Sequence, residues 1–335
     1  MLLVEFNRGD NSDHVVRGSD TDASAIFDGF IITGGHLMAV SMGPPTGGAG
    51  MYIASGSPTI INCIFTGNAA SQAGGGVYNI AGSPMLIDCK FESNYAEFGA
   101  GMYNTTTIHL PQRSKPILIN CSFNDNYSGS EGGGLYNSKS DPNLTNCKFS
   151  HNISLVYGAG IYNSYSSIEI IDSTFIENTA HSGGGIYSED NSSLILSNCI
   201  IWKNTAQFGG GMCNADANSI LLTNCLLSKN SAEQAGGGLA GSGNKTTLVN
   251  CIFSGNKVYG ESTDTSKGGG FHAFGDAELI NCIFSGNWAQ RGLAISIEKW
   301  YVLRLNNCIL WDGGNEIFQT GVSPNIAFSN IQGGW

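Results

Sequence analysis

Charge is scarce in this chain of 335 residues: Asp, Glu, Lys and Arg together make up 12% of it, about half the usual share. Positive charge is the scarcer sign, with 15 Lys and Arg against 26 Asp and Glu, a net −11. That balance opposes binding to nucleic acid phosphates and to anionic membrane surfaces. Only 8 prolines occur and no Gly-X-Y period runs through the chain, which excludes collagen. No run of 18 apolar residues exists, so no transmembrane helix is predicted. The first ten residues carry Glu5, Arg8 and Asp10 and lack a long apolar stretch, so they do not read as a signal peptide. No C-x-x-C and no Cys/His cluster at zinc spacing occurs, so neither a metal nor a cofactor is expected.

Glycine (47) and asparagine (33) are abundant, and 41% of the residues are hydrophobic. Gly and Asn weaken helix interiors, while the apolar content suffices for a large core rather than a disordered chain. A repeat orders these residues. Asn/Asp-Cys-x-Phe recurs at Asn62-Cys63-Ile64-Phe65, Asp88-Cys89-Lys90-Phe91, Asn120-Cys121-Ser122-Phe123 and Asn146-Cys147-Lys148-Phe149. Ser173 takes the cysteine position in the next unit, and Cys199, Cys225, Cys251, Cys282 and Cys308 continue the series. The interval is mostly 26 residues, stretching to 32 between Cys89 and Cys121 and to 31 between Cys251 and Cys282. Leu or Ile stands three residues before every unit position, from Ile60 to Leu305. Asparagine stands three residues past the Phe position, from Asn68 to Asn287. Glycine-rich triplets followed by an apolar residue separate the units, as in Gly74-Gly75-Gly76-Val77 and Gly132-Gly133-Gly134-Leu135.

Each unit offers β-type runs too short to form a sheet alone, so the units must stack. In-register parallel stacking places like residues over like at ~4.8 Å. Cys and Phe at i and i+2 then share the inner face. Asn at the corners is expected to tolerate left-handed dihedrals and to hydrogen-bond its stacked neighbours. The expected fold is all-β: a single right-handed parallel β-helix solenoid of about eleven coils, about 50 Å long, occupying 1–335 as one domain. Its poorly capped ends, 1–13 and 331–335, suggest an excerpt of a longer exported protein. Leucine-rich repeats and β-propellers fit less well, because of the glycine triplets and the unit length.

The paired Gly-Gly-Gly/Ala-Ile/Leu/Val and Phe-x-x-Asn motifs resemble the repeats of chlamydial polymorphic outer-membrane proteins. More widely, the chain resembles the right-handed, pectate-lyase-like β-helix proteins of bacterial surfaces, and the segment from Phe27 to Gly35 resembles the opening coil of such proteins. The resemblance covers about residues 14–333. It implies an extracellular or cell-surface location in a bacterium and leaves the activity open.

Nine of the ten cysteines fall in one column. Stacked side chains sit ~4.8 Å apart, whereas a disulfide wants Cβ atoms at ~3.8 Å. They therefore read as buried thiols packing as small hydrophobes. Cys213 lies outside that column and is expected to face outward and react first. Beside each apolar residue after the glycines stands a tyrosine: Tyr52, Tyr78, Tyr103, Tyr136, Tyr162 and Tyr187. Alternation turns this column outward. It reads either as a ladder that stabilises stacking or as a platform for sugar rings with hydroxyls as polar handles. Trp202 and Trp311 share another outward column and offer further stacking surface. Insertions at 36–46, 105–115 and 257–267 break the repeat, and such loops are where function concentrates.

Three functional classes follow. A non-catalytic surface protein would act as an adhesin or bind glycans, its partners being a polysaccharide, a cell-surface glycan or a protein of a host or neighbouring cell; a purely structural stalk is its simplest form. A polysaccharide lyase acting on an acidic polymer would need a base and a cation for the uronate carboxylate, and His109, Arg113 and Lys115 form the one plausible set. A glycoside hydrolase would need paired carboxylates, yet Glu92, Glu169, Glu177 and Glu278 are dispersed. The non-catalytic class is the one the sequence favours.

Overall fold

The computed structural model describes residues 14–38, 47–106, 113–217, 219–261 and 266–333. One coil shows how the repeat becomes structure. Strand Val77–Ile80 follows a glycine triplet, strand Met85–Ile87 follows a turn, strand Lys90–Glu92 follows a corner, and strand Tyr95–Phe98 leads into the next glycines. Within each ladder the strands pair in parallel with their counterparts in neighbouring coils, on both sides except at the ladder ends. Phe91, for example, is in register with Phe65 on one side and Phe123 on the other. The Phe-bearing ladder alone holds 12 strands. The right-handed parallel β-helix thus forms as the period requires.

The core is a set of columns. Phe65, Phe91, Phe123, Phe149 and Phe175 are fully buried and stack with ring centroids 4.4–5.0 Å apart. Leu, Ile and Cys columns complete the interior. All ten cysteines are free, and the nine column cysteines are buried. Each column thiol finds backbone carbonyls; Cys89 Sγ donates toward Ile87 O at 3.3 Å and Ile60 O at 3.4 Å. Ser173 fits the same column because its hydroxyl donates to Ile171 O at 2.8 Å and accepts the Cys147 amide at 2.9 Å.

The asparagines divide into two roles. The residue before each column position turns the left-handed corner: Asn62, Asp88, Asn120, Asn146, Asp172 and their successors to Asn307 all have φ between 51 and 56°. Asn and Asp tolerate that region better than other non-glycine residues. The asparagine three residues past Phe is absent from that left-handed set. Asn68 to Asn256 are buried, and each side-chain amide donates to the Oδ1 of the next, as Asn152 does to Asn178 at 3.0 Å. Its second proton goes to a Phe carbonyl one coil back, Phe123 O at 2.9 Å. A buried amide is costly unless its polar atoms are paired; here stacking supplies both partners.

Candidate functional site

The tyrosine column stacks as the period predicts. Centroids are 5.1 Å apart for Tyr78–Tyr103, 4.6 Å for Tyr103–Tyr136 and for Tyr136–Tyr162, and 5.8 Å for Tyr162–Tyr187. The side chains leave the main core, but the exposed strip expected from alternation is not what forms. Tyr78, Tyr162 and Tyr187 are only 3%, 4% and 5% exposed, and Tyr103 and Tyr136 are half-buried. The segment before each glycine triplet folds back over the rings. A Cβ on Gly47 would run into the Tyr78 ring, Phe98 packs edge-on against Tyr136, and Tyr157 stacks on Tyr187 at 4.4 Å. Ring faces are therefore occupied by other rings, and what the column presents outward is edges and hydroxyls.

Two carboxylates stand on this floor, and sequence reasoning missed both. Glu189 lies two residues past Tyr187, hence on the same strand face. Tyr162 donates its hydroxyl to Glu189 Oε1, and Tyr187 donates to Oε2 at 3.0 Å. Glu131 stands just before Gly132, in a column that elsewhere holds Phe98 and Tyr157. Burial, then the Glu189 charge, then the Glu97 charge push the Glu131 carboxyl up to about 7. Burial likewise raises the Tyr78, Tyr103, Tyr136, Tyr162 and Tyr187 hydroxyls, so they stay protonated donors. The available signal was a lone acid replacing aromatic residues in one column, which a search for repeated residues passes over.

Past Tyr187 the column holds Cys213, Ala240, His272 and Ser296. Cys213 is half-buried rather than open, and burial, helped by the Glu189 charge, pushes its thiol up to about 12. His272 is 1% exposed, and burial lowers it to about 4. Beside it Lys267 pairs with Glu298 at 3.0 Å.

The cationic set is not assembled as an anion site among the described residues. His109 lies outside them. The Arg113 guanidinium is engaged by Asp141 Oδ1 at 3.0 Å and by the Tyr165 carbonyl at 2.5 Å. Lys115 is exposed at the same turn, where its backbone amide bonds Ser83 Oγ at 3.0 Å. Trp202 and Trp311 do share one column, with Ser228, Ser254 and Ser285 between them. Trp311 is 52% exposed; Trp202 is half-buried, with Lys203 Nζ 4.1 Å from its ring centre. A groove of 670 Å³ lies in the C-terminal coils, lined by Asp216, Ser242, Phe274, Asp276 and Tyr301. Its Asp276 carboxylate already accepts the Val302 amide at 2.9 Å, which gives it a structural task. Among the described residues no group of three or more His, Cys, Asp or Glu is arranged to hold a metal ion, and no helix is long and apolar enough to cross a membrane.

The chain matches a family described as a right handed beta helix region, over residues 11–153, 102–226 and 159–332. No curated protein and no solved structure matches the chain.

Proposed function

Since the chain belongs to the right handed beta helix region family, and that fold carries many activities, we propose from its surface that it is a non-catalytic, surface-exposed module of a bacterial exported protein that binds glycans. The observation that carries this reading is the tyrosine floor with Glu131 and Glu189. It joins aromatic edges, hydroxyl donors and carboxylate acceptors in one place, a set suited to a ligand rich in hydroxyls. The negative charge there favours neutral or amino sugars over uronates, and Arg113 is already paired. Adhesion to a cell or matrix glycan is the role such a surface fits, with host or neighbouring-cell protein as a further partner class.

Native electrophoresis through gels containing neutral and uronate polysaccharides tests this. Retardation by a neutral polymer without its degradation is the expected result. A Tyr103→Phe/Tyr136→Phe double variant keeps the ring stack and removes two hydroxyls, so it should weaken retardation. Unchanged mobility in every gel would overturn the reading.

A catalytic reading has one specific observation in its favour. Glu131 near 7 beside Glu189 is how a general acid and its partner carboxylate are set apart. Release of reducing ends from a retarding polymer, lost in Glu131→Gln, would replace the non-catalytic reading with it.

A further inference from the structure

The outer face of the Phe-bearing ladder changes character along the solenoid. Its outward column starts Ile31, Ile64 in the first two coils, where Asp28 and Asn62 flank it, and then runs Lys90, Ser122, Lys148, Thr174 through the middle coils. In the last five coils with this motif it becomes Ile200, Leu226, Ile252, Ile283, Ile309. Four of these are well exposed, at 41%, 42%, 38% and 44% for Ile200, Ile252, Ile283 and Ile309. On one side of this stripe, two residues along each strand, runs the column Trp202, Ser228, Ser254, Ser285, Trp311. On the other side runs an exposed amide ladder. Asn224 donates to Asn198, Asn250 to Asn224, Asn281 to Asn250 and Asn307 to Asn281, at 2.8–3.1 Å. All three columns are uncharged over the same five coils, in a protein of net charge −11.

We infer that this strip is a second binding surface, taking a single extended chain of an uncharged polysaccharide laid along the solenoid axis. The occupant follows from size and chemistry. Four coil steps make the strip about 19 Å long, and four residues of strand make it about 13 Å wide. Its footprint is about 250 Å², well below the roughly 800 Å² per partner of a stable protein interface. A second copy resting on the strip alone would be too weakly held, whereas one polymer chain covers it. Each ladder asparagine uses one amide proton on its neighbour and keeps the other for a ligand hydroxyl. The aliphatic stripe meets the apolar faces of sugar rings, the serines let the chain approach closely, and the exposed Trp311 ring supplies a stacking plane at one end, while the half-buried Trp202 at the other shares its ring with Lys203. The three columns carry no charge of their own, and the ammonium that touches them, Lys203 over the Trp202 ring, is paired with Glu177 at 3.1 Å, so an anionic polymer gains little there and binding should depend only weakly on salt.

This inference rests on the reading of the protein as a glycan binder and adds a site distinct from the tyrosine floor. The test is native electrophoresis of the full chain in gels of hydroxyethyl cellulose, galactomannan and dextran, with polygalacturonate as the charged comparison. Trp202→Ala and Trp311→Ala should each weaken retardation about three- to tenfold, Trp311→Phe should restore much of it, and Ile252→Lys should abolish it. Thermal melts confirm that the surface variants remain folded. If Tyr103→Phe/Tyr136→Phe removes retardation while the Trp and Ile252 variants leave it intact, the tyrosine site stands and the strip falls. If no neutral polymer retards the wild type, both fall. If sedimentation shows a dimer that Ile252→Lys converts to monomer, the strip is an interface between copies, and the polysaccharide assignment is overturned.

Discussion

Asn287 ends the buried asparagine ladder on the carboxylate of Asp312: its side-chain amide donates to Oδ1 at 3.1 Å, and its backbone amide to the same oxygen at 2.6 Å. The exposed ladders run the other way and end alike. Asn62 donates to Asp28, Asn120 to Asp88 and Asn198 to Asp172. Aligned amides leave the N–H end of each ladder electropositive, and a carboxylate there accepts a charge-assisted hydrogen bond.

The buried terminus costs more than the exposed ones. Glu316 is 2% exposed and accepts the backbone amides of Asp312, Gly313 and Gly314 at 2.9–3.0 Å. Burial first, and the Glu316 carboxylate after it, raise the Asp312 carboxyl from 3.8. The folded state therefore keeps a proton that the unfolded chain releases, so this group makes stability fall as pH rises above about 4. In Asp312→Asn a neutral amide oxygen takes the same two donors, as on every other rung. Melting temperatures from pH 5 to 9 should decline less for the variant than for the wild type; equal slopes would refute the account.

Glu131, up to about 7 from 4.5, contributes with the same sign, and its stabilising protonated form is lost as pH rises through 7. His272, lowered to about 4, contributes with the opposite sign, because the unfolded chain binds more protons between pH 4 and 6.5. Glu131→Gln should raise stability at pH 8 relative to wild type and leave it nearly unchanged at pH 4. Denaturant midpoints at the two pH values decide it.

The glycine triplets hold because adjacent coils touch through backbone. A Cβ at Gly184 would lie 2.5 Å from Gly210 O and 2.6 Å from Thr205 O. Neither carbonyl can yield without parting a ladder, so Gly184→Ala should cost about 3 kcal/mol or more, as overpacking against a rigid surface does. Urea unfolding would show it. A loss under about 1 kcal/mol would mean the coils slide apart freely.

Cys213 should be the first thiol to react, and slowly. A thiol held near 12 is almost wholly protonated at pH 7, and the thiolate is the nucleophile. Its labelling rate should climb about tenfold per pH unit between 7 and 9, while the nine column cysteines stay unreactive until the solenoid unfolds. Fast labelling of several cysteines in native protein would contradict the buried column.

The amino-acid sequence by itself determined the columns. In-register parallel stacking turns a period into a neighbour list, so Phe91 beside Phe123 and Tyr103 beside Tyr136 were legible from spacing alone. So was the absence of disulfides, since the rise per coil is too long for one. Exposure was decided only by the tertiary structure. Alternation says which way Tyr78 or Cys213 leaves its strand, but the segment that folds back to cover it is set by the cross-section of the coil. Tertiary structure also brought together singletons that no period marks, Glu131 with Glu189 and Asp312 with Glu316. A repeat specifies what lies above and below a residue; what lies beside it depends on how each coil closes.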